Sequence, residues 1–507
     1  MASKSAGELH SANDAYTVSE EPLGSIDHVK IIIIGAGASG LNMIRTLRNS
    51  IPNSETVVYE KNPDIGGTWY ENRYPGCQCD IPSHNYQFSW APNPHWSKFY
   101  SEAGEIHRYF KDLTTREHLD LNIKLQHQVE HAEWNEDDGL WLVRVRNLTT
   151  DTVKTDSAHF LLDALGIPNN WKWPDISGLH TFKGDLVHSA NWKEDFSYKG
   201  KRVAVIGNGS SGVQIVPAMK PDVETLVHCV RSPLWVALAG VDRMAESTAG
   251  KVLSELELDG DRFTSGQMTK FETDKEFYTK FIKATEEVVN NKFAYLVTSS
   301  PLADVVKENM IKYMTQALKG NQELISKLVP DFPFGCRRIT PSSAYLDAFH
   351  KDNVQIVTHA CMPNYFMFLG PNAPIGHGSV LTITEHVGKY ITRIIRKCQE
   401  EGIKSIIPRQ DVVDEFAEHI AAFMPRTAWA GSCSSWFKNG EKDGPVTALH
   451  PGSCIHWFHM LQSFRGEDFE FTHWSKNRFQ YLGNGFSTLE APGMNSTWYL
   501  DEPDKML

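Results

Sequence analysis

Short apolar runs followed at once by glycine mark two places in the chain. Val29-Lys30-Ile31-Ile32-Ile33-Ile34 is a β-branched run suited to a strand buried on both faces of a parallel sheet. It leads into Gly35-Ala36-Gly37-Ala38-Ser39-Gly40. Leu41 to Leu47 then has the spacing of a helix, and Thr56-Val57-Val58-Tyr59 predicts the next strand. The same order returns later. Arg202-Val203-Ala204-Val205-Ile206 predicts a second buried strand, Gly207-Asn208-Gly209-Ser210-Ser211-Gly212 a second turn, and Thr225-Leu226-Val227-His228-Cys229-Val230 the strand after its helix.

Between and around these units the pattern changes. Residues 1 to 28 are polar and aperiodic, as in a mobile arm or a strap over the surface. A helix is expected from Glu105 to about Arg116, a strand at Trp141 to Val145, and at Phe160 to Gly166 a strand running into a turn that closes the first unit. Residues from about 240 to 330 are charged, poor in β-branched runs and helical in spacing, which predicts a helical insertion in the second unit. A helix start is expected near His377-Gly378-Ser379, and the tail from about 400 is turn-rich and aromatic. The expected organisation is α/β with two Rossmann-like dinucleotide-binding domains: an arm at 1–28, one domain at 29–180, a second with its insertion at 181–338, and a return to the first domain from 339 to 507.

The chemistry of the turns gives these units a function. Glycines at 35, 37 and 40, and again at 207, 209 and 212, let backbone approach a pyrophosphate at a helix N-terminus, where Ser210 and Ser211 also stand. Glu60 ends the second strand, 20 residues beyond Gly40, where an acid binds a free ribose hydroxyl. The corresponding place in the second unit holds Arg231-Ser232, a reversal of charge that suits a 2′-phosphate. FAD is therefore expected in the first unit and NADPH, rather than NADH, in the second. Phe182 to Trp192 joins the two units and is well placed to set two reactive rings against each other; His188 within it reads as a hydrogen-bonded structural histidine. The irregular stretch Gly66 to Asp80 is rich in glycine and aromatics, as functional loops are, with Trp69 and Tyr74 open to a second reading as core anchors. Asp80, at the end of this apolar loop, needs a partner.

Composition narrows the classes. The 507 residues are 41% hydrophobic and 22% charged, ordinary for a globular protein of two or three domains. A net charge of -12 argues against a general nucleic-acid surface. No apolar run is long enough to span a bilayer and the first residues lack a signal-peptide core, so a cytoplasmic location is expected. The eight cysteines show no regular spacing, so free thiols in a reducing compartment are expected; Cys77 and Cys79 are too close for a redox Cys-x-x-Cys pair. The 21 histidines show no metal spacing.

The motifs together carry a resemblance. Phe182, Gly184, His188 and Trp192 match Phe-x-Gly-x-x-x-His-x-x-x-Trp, and Gly66, Gly67, Trp69, Tyr74, Pro75, Gly76 and Asp80 match a second signature of the Baeyer–Villiger monooxygenases. From about residue 30 to 455 the chain resembles this family of FAD- and NADPH-dependent enzymes, in overall look its fungal secondary-metabolism branch. The resemblance implies insertion of one oxygen atom of O2 beside a ketone carbonyl, by way of a C4a-peroxyflavin, to give an ester or lactone. It makes Arg338 the active-site arginine and Asp80 its partner. Arg337, Arg231 and Ser232 become contacts to the NADPH phosphate, Trp436 a residue over the nicotinamide and substrate pocket, and Gly67, Thr68, Trp69 and Tyr86 part of the cofactor-binding set. Two departures stand out. Ala164-Leu165-Gly166 replaces the usual Ala-Thr-Gly, and after Asn353 to Val357 the chain passes directly to Pro363-Asn364-Tyr365-Phe366, without the strand pair and second Ala-Thr-Gly stretch of relatives. Two other readings follow: a related monooxygenase giving hydroxylation, epoxidation or N- or S-oxidation, and a shortened paralogue that binds flavin weakly and is not catalytic.

Overall fold

The computed structural model describes residues 19–167, 171–173, 179–193, 196–230, 233–237, 249–258, 260–336, 340–341, 364–433, 435–438 and 441–494. Its centre is a five-stranded sheet, parallel throughout, in the order Tyr365–Met367, Phe160–Asp163, Val29–Ile34, Ser54–Tyr59 and Ile123–Lys124. β1 (Val29–Ile34) and β2 (Ser54–Tyr59) flank the first glycine turn and are joined by helix α1 (Ala38–Ser50). The side chains of Ile31, Ile32 and Ile33 are wholly buried, as the unbroken run requires of a strand covered on both faces. After the short helix α2 (Thr68–Glu71) and helix α3 (Ala103–Arg116), β3 (Ile123–Lys124) pairs with β2. An antiparallel layer of β4 (His127–Asn135), β5 (Leu140–Asn147) and β6 (Thr152–Ala158) precedes β7 (Phe160–Asp163), which returns beside β1.

The second unit holds the parallel pair β8 (Arg202–Ile206) and β9 (Thr225–Cys229), joined by α4 (Ser210–Met219). Its strands depart from expectation. They alternate between exposed and half-buried positions, and Ile206 and Val227 are about half exposed, so the pair is covered on one face only. A second parallel pair joins β10 (Val236–Ala237) to β11 (Thr340–Pro341).

The region read as an insertion is helical: α5 (Gly250–Glu255), α6 (Ser265–Thr273), α7 (Lys275–Asn290), α8 (Pro301–Ala317) and α9 (Gln322–Leu328). Helices α6 and α7 pack on the first unit. Phe271, Tyr278 and Phe281, with Phe263, enclose the ring of His84, whose Nδ1 lies 3.0 Å from the Tyr278 hydroxyl. Asn85 bonds to Ile282 O and Glu286 from the same loop. Burial holds His84 neutral, its pKa lowered to about 3. The folded pKa lies below that of a free histidine, so as pH falls the unfolded chain takes up a proton that the folded chain refuses. From pH 7 to pH 5 this one group is expected to cost about 2 kcal/mol of stability. The comparison is thermal unfolding of the parent and of His84→Phe across that range: the variant should have the flatter pH profile, and parallel profiles would contradict the burial argument.

The last part of the chain returns to the first unit. β12 (Tyr365–Met367) pairs with β7, so the sheet is extended by the strand that follows the point where the sequence departs from its relatives. Helix α10 (Val380–Glu400), starting near His377-Gly378-Ser379 as expected, lies on α1; a side chain at Gly388 would meet Asn42 Nδ2 at 3.2 Å. β13 (Ile403–Pro408) and β14 (Phe469–His473) form an antiparallel pair, with α11 (Gln410–Phe423) and α12 (Cys454–Met460) between them in the chain. Residues 19–28 do form a strap: Pro22 and Leu23 bridge to Gly483 and Ser487 in the tail. Residues 1–18 lie outside the described residues. No helix among the described residues is long and apolar enough to cross a membrane.

The cysteine expectation needs correction. Cys336 and Cys433 are disulfide-bonded, with Cα atoms 6.5 Å apart, inside the range the bond allows. They are separated by 97 residues, so no local spacing could have announced the pair. Cys77, Cys229, Cys398 and Cys454 are free thiols, as expected, and Cys361 lies outside the described residues.

Candidate active site

The two glycine turns are built alike. Gly35 and Gly207 both have φ near +100°, and their N–H groups donate to Tyr59 O and Cys229 O, at 2.9 and 3.0 Å. A side chain at Gly40 would stand 2.1 Å from Gly35 O, and one at Gly212 would stand 2.1 Å from Gly207 O. Helix and strand thus approach more closely than any other residue permits. The cap residues of α1 and α4 are Gly37 and Gly209, neither of which has a side chain to close the helix N-terminus. A helix start without a side-chain cap, and with no Cβ in the way, fits the pyrophosphate of a dinucleotide at each turn. Gly209 is exposed and Ser210 and Ser211 are half-buried at the second turn.

Glu60 stands at the first turn, as its distance from Gly40 predicts. It is buried, and its two oxygens accept from Ala36 N–H and Asn62 N–H, each at 2.8 Å. Burial raises its pKa above the ordinary carboxylate range, against the opposing pull of those two N–H groups. A carboxylate has about four acceptor positions, so room remains for a ribose hydroxyl.

The Gly66–Asp80 loop lies against both turns. Gly66 N–H donates to Ala36 O, and a side chain on Gly67 would meet Gly37 Cα at 3.1 Å, so the loop backbone seals against the first turn. Gly67 has φ +54° and caps α2, which begins at Thr68. Trp69 is buried and donates its indole N–H to the Tyr86 hydroxyl at 3.1 Å, the rings meeting edge to face. Tyr74 reaches the second turn instead. Its hydroxyl donates to Gln214 Oε1 at 3.0 Å and is also hydrogen-bonded to Ser211, both on α4, while Gln214 Nε2 donates to Gln78 O at 2.9 Å. Burial raises the Tyr74 pKa; Cys77 and, more weakly, the partly buried Asp80 push it the same way. A side chain at Gly76 would meet Gln214 O at 2.7 Å. The loop of one cradle is therefore bolted to the first helix of the other. Gln214 was not singled out from the sequence, although a lone amide in the apolar helix Ser-Ser-Gly-Val-Gln-Ile-Val was a signal that it needed a partner.

In the joint, His188 stacks on Trp171 at 4.6 Å and its Nδ1 accepts from Ala190 N–H, consistent with a structural histidine. Phe182 is largely exposed, and Gly184 leaves space that the Phe182 ring occupies. Arg231, Ser232, Arg337 and Arg338 lie outside the described residues. Trp436 begins a short 3-10 helix, Trp436–Lys438, just after the Cys433 bridge.

A model of the NAD(P)-binding Rossmann-like domain matches residues 33–103. That is the unit assigned to FAD; because FAD and NAD(P) share an ADP half, the match fixes the cradle and leaves the choice of dinucleotide to other residues. FAD-binding monooxygenase tazF of Aspergillus terreus is 33% identical over 91% of this chain and 92% of its own length. The chain belongs to the FAD-binding monooxygenases. FAD-binding monooxygenase stcW of Emericella nidulans is 31% identical over 92% of this chain, and a Baeyer-Villiger monooxygenase of Streptomyces coelicolor is 29% identical over 84%. Among solved structures, cyclohexanone monooxygenase from Rhodococcus sp. Phi1 bound to NADP+ has a TM-score of 0.70 at 21% identity, covering 89% of this chain and 100% of that one. An OTEMO complex with FAD and NADP has the same TM-score at 19% identity. These likenesses place the α/β fold, with its two nucleotide units, among flavin monooxygenases.

Proposed function

We propose that this family member is a Baeyer–Villiger enzyme that consumes NADPH and inserts one oxygen atom of O2 beside the carbonyl of a bulky ketone. The observation that carries the proposal is the pair of matching cradles in one chain, joined by the Tyr74–Gln214 bolt and the Phe182–Trp192 joint, because hydride transfer needs both rings in one cleft. The chemistry that bound FAD and NADPH supply is hydride transfer and activation of O2. Gly35, Gly37, Gly40 and Glu60 would hold the ADP half of FAD, while Gly67, Thr68, Trp69 and Tyr86 would line its inner end. Gly207, Gly209, Ser210, Ser211 and Gly212 would hold the NADPH pyrophosphate, and Arg231, Ser232 and Arg337 its 2′-phosphate. Arg338 supplies a positive charge that no working pH removes, and it would stabilise the oxyanion that forms when the ketone carbonyl is attacked. Asp80 would orient that guanidinium and keep its charge compensated in a dry site, and Trp436 would wall the substrate pocket.

With FAD-binding monooxygenases of Aspergillus terreus and Emericella nidulans as relatives, and from the resemblance to the fungal secondary-metabolism branch, we take a polyketide-like ketone as the substrate class. The test is turnover with NADPH and labelled O2 over cyclic, aryl and polyketide-like ketones. An ester or lactone carrying one labelled oxygen is the expected product. Labelled N-oxide, sulfoxide, epoxide or alcohol with no ester would replace this reading by the related monooxygenase chemistries.

A further inference from the structure

The disulfide joins two segments that the proposed function places over one pocket. Cys336 ends a turn held on the second unit: Pro333 O accepts from Trp235 Nε1 at 3.2 Å, and Phe334 packs on Trp235 with ring centres 5.6 Å apart. Cys433 ends a turn held on the C-terminal region, where the buried Lys438 donates to Gly431 O and Lys442 O at 2.6 and 2.7 Å beside the buried Phe437 and Trp429. A side chain at Gly431 would meet Pro333 Cγ at 2.9 Å, so the Pro333 ring packs on Gly431 and the two turns touch as well as being bonded. In the chain, Arg337 and Arg338 follow Cys336 directly, and Trp436 stands three residues after Cys433. Both cysteines are buried.

We propose that the Cys336–Cys433 bond is formed in the working enzyme and acts as an oxidation-dependent staple, fixing the root of the arginine segment to the root of the Trp436 segment. The staple forms by exchange with a low-molecular-weight disulfide such as glutathione disulfide. One protein thiolate attacks it, releasing one glutathione thiol and leaving a mixed disulfide; the other cysteine, on losing its proton, displaces the second glutathione. Two protein thiols are thereby oxidised and one glutathione disulfide is reduced to two thiols.

The proposal rests on the functional reading for its consequence but not for its detection. Enzyme equilibrated with glutathione disulfide, blocked with N-ethylmaleimide and digested without reductant should give the linked 336/433 peptide, lost after dithiothreitol. Recovery of both cysteines as maleimide adducts overturns the staple. In the parent, dithiothreitol should slow NADPH-driven flavin bleaching and lower the ratio of oxygenated product formed to NADPH consumed, each severalfold. Cys336→Ser, Cys433→Ser and the double variant should all reproduce the reduced parent, remain yellow and no longer respond to dithiothreitol. A double variant no worse than either single is the signature of one shared bond. If the linked peptide disappears on reduction while NADPH-driven flavin bleaching and coupling stay unchanged, the positioning role fails. Should the serine variants not fold, the reductant arm on the parent still decides. Bleaching is read without any ketone, so a wrong Baeyer–Villiger assignment leaves this test intact.

Discussion

Exchange of Arg338 for alanine is expected to slow ester formation by about two to three decades, or on the order of 3 to 4 kcal/mol of barrier, by analogy with loss of a single oxyanion donor. The protein should stay yellow and still be reduced by NADPH, because neither property depends on charge at the reacting carbonyl. Arg338→Lys keeps the charge but not the planar fork, so it should recover only part of the loss if Asp80 holds the arginine through two bonds. Asp80→Asn removes the compensating charge while keeping the side-chain shape, and should fall between the parent and the alanine variant. The measurement is single-turnover product formation, with flavin reduction followed separately by absorbance. Ester formed at the parent rate by the alanine variant would remove Arg338 from the reaction. Loss of flavin reduction in equal measure would move it from oxygenation to NADPH binding.

What could be read from the sequence was whatever had a local cause. The β-branched run at 29–34 had to be buried, and glycine at 40 and 212 had to admit a backbone carbonyl, so strand, turn and helix follow within a dozen residues. Glu60 was legible because the βαβ unit fixes its distance from the turn. The partners that join distant parts of the chain were not. Tyr74 meets Gln214 across 140 residues, and Cys336 meets Cys433 across 97, separations at which the fold decides the pairing and residue type only shows that a partner is needed. The same holds for α6 and α7: the helical spacing of the region was visible, while the docking of their aromatic residues against His84 and Asn85 was not. The half-exposed pair β8–β9 shows the converse error: its apolar run resembles that of β1, yet burial depends on what covers the sheet as well as on the strand itself.

Single methyl groups at the two turns should separate the two cofactors. Gly40→Ala places a Cβ 2.1 Å from Gly35 O, and Gly212→Ala places one 2.1 Å from Gly207 O. In each case the obstacle is backbone, which cannot swing away as a side chain can. The helix must lift from its strand, withdrawing the N–H groups that face the pyrophosphate. Overpacking of this kind costs about 1 to 3 kcal/mol, so dinucleotide affinity at the altered turn should fall by roughly ten- to a hundredfold. The expected outcomes differ between the two sites. Gly40→Ala should purify with little or no flavin absorbance and regain it only at high added FAD. Gly212→Ala should purify yellow, with a raised KM for NADPH and slow flavin bleaching at low NADPH. A yellow Gly40→Ala beside a colourless Gly212→Ala would exchange the two assignments. Equal loss of flavin from both would mean that the cradles do not bind separately, and the hydride path drawn across the Tyr74–Gln214 bolt would have to be abandoned.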